Sequence, residues 1–168
     1  MKLIKHILFL ATTALLLAGC NGNDCPLNNT VRLICGFYNS ADGSELAILD
    51  TLTISVRDSV VLNRSTDSKT VSLPMSYAGV ADTLVFLYTP DGSEVSAADT
   101  LIVSKTNEPH VVSLDCGTGV FHNISAVSHS SRTPDSTFLY AIDSIVVSNS
   151  NVNFDGQENL KIYYRVYQ

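Results

Sequence analysis

The chain has 168 residues, four cysteines, no tryptophan, 45% apolar side chains and a formal net charge of −6. That length suits one domain able to bury a core. The acidic balance excludes nucleic acid and anionic membrane surfaces as natural partners.

Lys2 and Lys5 precede an almost unbroken apolar run from Ile7 to Leu17. About eleven residues at roughly 1.5 Å each cover only half of a bilayer core, so the run reads as an export signal and not as a permanent span. Leu17-Ala18-Gly19-Cys20 resembles the lipobox of bacterial lipoproteins, in which the cysteine thiol takes up lipid and becomes the mature N-terminus. The expected organisation is a signal peptide over 1–19, a lipidated tether over 20–29 and a single domain over 30–168. Loss of 1–19 removes two lysines and no acid, leaving eight basic against sixteen acidic side chains, a net charge of −8.

With Cys20 committed to lipid, Cys25, Cys35 and Cys116 remain in an oxidising space. In "TVRLICGFY" the alternation of Val31, Leu33, Cys35 and Phe37 puts Cys35 on an apolar strand face, where a thiol acts as a small hydrophobe. A Cys25–Cys116 disulfide is the expected pairing, with Cys25–Cys35 the alternative. No second Cys or His stands at metal-ligand spacing, so no metal and no cofactor is expected.

Beyond the tether, period-two alternation and β-branched runs recur, and helical periodicity never persists beyond about a turn. Strands are expected near 30–38, 50–57, 69–74, 82–88, 99–105, 110–115, 119–128, 139–148 and 158–167. The segments between them, such as "NSADGSE", "NRSTDSK" and "TPDGSE", are rich in turn formers. Nine short strands imply an all-β, two-sheet sandwich of immunoglobulin-like character, with a small β-barrel as the alternative.

"DGSELAILDTLTISV" from Asp42 and "DGSEVSAADTLIVSK" from Asp91 agree at eight of fifteen positions. They are expected to form two similar hairpins or arches related by a pseudo-twofold. A calcium loop built on Asp42, Glu45 and Asp50, or on Asp91, Glu94 and Asp99, is the lesser reading, because calcium takes six to eight oxygens and Asp-Gly is first a turn signal. A second recurrent element, Asp-(Ser/Thr)-aliphatic, begins at Asp50, Asp58, Asp82, Asp99 and Asp143, with a variant at Asp135. It signals the start of a strand, and it also resembles the acceptor motif of general O-glycosylation in exported Bacteroidota proteins. Thr51 and Ser136 are the acceptors it implies.

No nucleophile elbow, His-Glu-x-x-His or phosphate loop is present. His110, His122 and His129 could be paired on paper with Asp115 or Cys116, a Cys116–His122 dyad among them. His122, alternating with Phe121, is expected to face outward, and the chain is expected not to be an enzyme. The last strand, "NLKIYYRVYQ", sets Leu160, Ile162, Tyr164 and Val166 against Lys161, Tyr163, Arg165 and Tyr167. One face is core. The other offers Tyr163, Arg165 and Tyr167 as an interaction surface, since Tyr and Arg anchor interfaces.

The segments "DCPLNNTVRLICGFYNS", "VSLPMSYAGVADTLVF", "NEPHVVSLDCGTGVFHNI" and "IDSIVVSNSNVNFDGQENLKIYY" resemble an uncharacterised family of Bacteroidota lipoproteins, a domain of unknown function. "PHVVSLDCG" and "NVNFDGQENLKIYY" are the most specific pieces. The resemblance implies an exported, lipid-anchored β domain with no assigned catalytic residue and with an outer-membrane β-barrel as partner. Cys35 stands where the family has other apolar or small residues, which favours the Cys25–Cys116 pair. The residues after Cys20, "NGND", lack a dense acidic run, so the periplasmic face of the outer membrane is the expected location. The functional expectation is a structural or protein-interaction module, with glycan or peptide binding as the alternative.

Overall fold

The computed structural model describes residues 31–113, 117–130 and 132–167. Among these described residues there are ten strands: β1 Arg32–Asn39, β2 Thr51–Val56, β3 Ser59–Ser65, β4 Thr70–Pro74, β5 Ala81–Thr89, β6 Ala97–Ser113, β7 Gly117–His129, β8 Tyr140–Val147, β9 Asn151–Val152 and β10 Leu160–Val166. They form a four-stranded sheet in the order β4-β1-β10-β8 and a six-stranded sheet in the order β3-β2-β5-β6-β7-β9. The two pack together as a sandwich, one of them curled into a half-barrel.

The alternation of each strand fixes what lies between the sheets. Leu33, Cys35 and Phe37 of β1 and Leu160, Ile162 and Tyr164 of β10 face Leu52, Ile54, Leu84, Phe86, Leu101 and Val103, all fully buried or nearly so. Phe37 meets Tyr164 edge-on at 5.5 Å and Phe86 at 6.4 Å, and the buried Tyr88 hydroxyl donates to Tyr164 Oη at 3.1 Å. Burial pushes both phenols well above their ordinary range, so the pair stays neutral. β1 and β10 run parallel, Cys35 beside Leu160 and Asn39 beside Tyr164, which sets the first and last strands side by side at the centre of the small sheet.

Two expectations about strands change. Residues 99–105 and 110–113, expected in separate strands over 99–105 and 110–115, lie in the single strand β6, which crosses Pro109 without a break. β5 leaves β6 at the Ala81–Ser104 pair, so beyond it that flank of β6 is open. Lys105 N donates to Val80 O on this flank, and two-residue periodicity turns Pro109 the same way, so its missing N–H removes no bond to β7. β3 and β9 are the strands that were not foreseen. Arg57 and Asp58 both take positive φ, 49° and 62°, and close β2 and β3 into a tight hairpin whose outer strand is largely exposed.

The repeat is also used differently from the expectation. Gly43 and Gly92 share the same left-handed turn, φ 73° and 71°. The first turn carries the chain from one sheet to the other, whereas the second closes β5 onto β6 within one sheet. β2 and β6 are both antiparallel to β5 and flank it, so the repeated strands lie parallel and are related by a translation, not a twofold.

Candidate functional site

The outer face of the four-stranded sheet gathers the polar aromatic residues of β1 and β10. Gly36 makes this arrangement possible: a Cβ there would lie 1.8 Å from Glu158 Oε2 and 2.9 Å from the Tyr38 ring. Over that gap Tyr38 donates to Glu158 Oε2 at 3.0 Å, stacks obliquely on Tyr163 at 5.5 Å and receives the Lys161 ammonium over its ring at 5.0 Å. Burial and the Glu158 hydrogen bond hold the Tyr38 phenol above its usual range, so it serves as a neutral donor.

Of the three residues singled out in the last strand, Tyr163 is half-buried in this stack. Arg165 is fixed, its Nε 3.1 Å from Asp143 Oδ1 and its terminal nitrogen donating to Arg132 O at 2.8 Å. Asp143 is an extra residue in β8, inserted where the β8–β10 register shifts at Tyr163 and Tyr164, and the bulge aims its carboxylate at Arg165. Tyr167 stands 48% exposed. Beside it a depression of about 460 Å³ is lined by Asn39, Ser40, Ala41, Thr133, Pro134 and Arg165 through Tyr167. Alternation found the β10 residues; Tyr38 and Asp143 come from other strands, β1 and β8, and Glu158 from the loop just before β10, and the contacts that bring them together left no local signal.

Buried ion pairs lie elsewhere, at Asp99 and at Lys105. Asp99 is fully buried on β6 yet reaches across the sandwich to β8: its Oδ2 accepts the Ile142 N–H at 3.0 Å, and its Oδ1 lies 3.3 Å from Arg132 Nε. Arg132 in turn donates to Tyr140 O. The ion pair thereby occupies one acceptor and one donor position along the free edge of β8, as a neighbouring strand would. In the second group, Lys105 is buried and donates to Gly79 O at 2.8 Å and Asn107 Oδ1 at 2.6 Å, with Asp82 Oδ2 at 3.5 Å. His122 does not face outward. It is 3% exposed, shares Asn107 Oδ1 at 2.7 Å and lies parallel to Tyr77 at 6.4 Å. The reason is position: two-residue alternation puts His122 on the same face of β7 as the buried Ile124, where Asn107 and Tyr77 cover it. Burial, aided by Lys105, pushes the imidazole down to about 4. Because Asn107 Oδ1 also accepts from Lys105, Nδ1 carries the His122 proton and Nε2 is left buried without a partner.

The carboxylates of the repeat do not converge. Asp42 accepts from Ser44 N and Oγ at 2.9 and 2.7 Å, while Asp50 and Asp99 turn inward. No group of three or more potential metal ligands occurs among the described residues. The proposed acceptors differ in access, with Thr51 half-buried in β2 and Ser136 exposed in the bend where Asp135 Oδ1 accepts from Thr137 N and Phe138 N. Cys35 is fully buried, and burial together with Glu158 pushes its thiol far up. Cys20, Cys25 and Cys116 lie outside the described residues.

An all-β sandwich with a polar aromatic face on its smaller sheet is thus the class of protein that the fold defines. A family of unknown function, DUF6452, matches residues 45–164, and the chain belongs to it. No curated protein and no solved structure matches the chain.

Proposed function

We propose that this chain is a non-enzymatic cell-envelope lipoprotein, held through Cys20 on the periplasmic side of the outer membrane, and that it works as a structural or protein-interaction module with an outer-membrane β-barrel as partner. The observation that carries this reading is the outer face of the four-stranded sheet. Tyr38, Lys161, Tyr163 and Arg165 are already held by one another, by Glu158 and by Asp143, so little side-chain freedom is lost when a partner covers them. Tyr and Arg anchors of this kind cost about 2–4 kcal/mol each when truncated at an interface. The depression beside Tyr167 supports a second reading, a glycan- or peptide-binding module, with Arg165 and Tyr167 at its wall.

The test is the Tyr163→Ser, Arg165→Ser, Tyr167→Ser variant, expressed with its native leader. These residues lie on the outside of the sheet, so the thermal midpoint should fall by only a few degrees, about 1–2 kcal/mol. Co-purification with a barrel from detergent-solubilised envelope should disappear. A variant that folds and keeps every partner overturns the assignment of this face, and loss of glycan binding with all protein partners retained selects the second reading.

A further inference from the structure

Several exposed apolar side chains collect at one end of the molecule, and topology identifies which end it is. β4 finishes at Pro74, beside Arg32 at the start of β1, and leads through Tyr77 and Val80 into β5. β6 passes that same level at Ser104 and continues for nine more residues, roughly 30 Å of strand, paired there with β7. β9 joins β7 at His122 and Asn123, close to the end of β8. The two-stranded ribbon therefore projects past the pole at which β1 begins.

Apolar side chains lie on both faces of the ribbon and in the loops beside it. On one, Tyr77, 52% exposed, lies against His122, with Val80 and Val111 at 75% and 65% exposure. On the other, Phe121 is sandwiched between His110, stacked at 4.2 Å, and Phe154, edge-on at 5.2 Å and 41% exposed. Phe121 pairs across the ribbon with the exposed Glu108, a charge that sets a limit to how deeply this end could enter an apolar layer.

We infer that this end is a bilayer-contacting pole, in which Tyr77, Val80, His110, Val111, Phe121 and Phe154 seat in the headgroup region of the membrane that carries the lipid anchor. The occupant follows from the chain: ten residues, 21–30, separate Cys20 from Val31, and Val31 enters the domain at this pole. Ten residues reach at most about 35 Å even when fully extended, so the lipid keeps this end near the surface. Aromatic side chains favour that interfacial layer, and with no basic cluster among the six residues the attraction rests on apolar area and not on anionic lipid. Seated this way, the domain stands with the Tyr167 depression at the far ends of β1 and β10, directed away from the membrane, and the Tyr38–Tyr163 face runs up its side. The inference rests on the lipoprotein reading.

The full-length lipidated protein, reconstituted at low density in phosphatidylcholine vesicles, would be footprinted with hydroxyl radicals against the same protein carrying Cys20→Ala free in buffer. Oxidation of Tyr77, Val111 and Phe154 should fall below half its value in buffer, with Tyr167 unchanged and added salt without effect. Equal oxidation at both ends, or protection of Tyr167 instead, overturns the inference. So does protection that appears only at high protein density, which would mean a second copy, or only with a co-reconstituted barrel, which would mean a protein seat. Intact mass tests the anchor separately: without acyl chains on Cys20 the lipoprotein reading falls, whatever the footprint.

Discussion

Replacing Asp99 by alanine removes the side chain that ties β8 to the opposite sheet. The Ile142 N–H, pointing away from β10, would lose its acceptor, and a buried donor left alone costs about 1–3 kcal/mol. Arg132 would lose its counter-ion. Breaking a buried pair on one side costs about 3–5 kcal/mol, but the Arg132 side chain keeps 22% of its exposure and its bond to Tyr140 O, which places that part low in the range. The two losses share one carboxylate, so the expected total is about 3–4 kcal/mol, a large share of the stability of an ordinary domain. Asp99→Asn retains an oxygen for Ile142 and should cost about half as much. The double variant Asp99→Ala, Arg132→Met leaves no uncompensated guanidinium and should cost clearly less than the sum of its parts. Urea unfolding read at constant m-value measures all three. An Asp99→Ala variant within 1 kcal/mol of wild type, or strict additivity in the double variant, would refute the view that this pair substitutes for a neighbouring strand.

Acid should destabilise the protein partly through His122. Its imidazole titrates near 4 when folded and near 6.5 when unfolded, so between these values the unfolded chain binds more protons. Stability is lost as the pH falls through that window, by up to about 3 kcal/mol, and His122→Gln should flatten this part of a urea-midpoint profile. A profile unchanged by the substitution would contradict the buried, neutral assignment. Gly36→Ala should push Glu158 off the sheet face and loosen Tyr38; because the clash is with the mobile end of a side chain, the cost in a thermal melt should be about 1 kcal/mol, while partner capture weakens. Full capture by that variant would count against the face. Cys35 should react with an alkylating reagent only after denaturation, and non-reducing peptide mapping should then recover Cys25 joined to Cys116. A Cys25–Cys35 peptide would reverse that assignment.

Alternation along single strands determined much of what is seen. The apolar faces of "TVRLICGFY" and "NLKIYYRVYQ" identify Cys35, Phe37, Ile162 and Tyr164 as core, because side-chain direction in a strand repeats every two residues regardless of its neighbours. Asp-Gly turns were legible for the same local reason, since positive φ at Gly43 and Gly92 is a property of the residue. Pairing between distant strands was not written in any such pattern. Only the tertiary structure made one Asp-Gly-Ser-Glu turn an arch between sheets and its repeat a hairpin within one. Only the parallel docking of β1 on β10 brought Tyr38 onto Tyr163. His122 and Asp99 were decided in the same way. His122, expected to face outward, and Asp99, read as the opening residue of a strand, are buried here because partners more than ten residues away, Asn107 for one and Ile142 and Arg132 for the other, satisfy most of their hydrogen bonds in a medium that would otherwise exclude them.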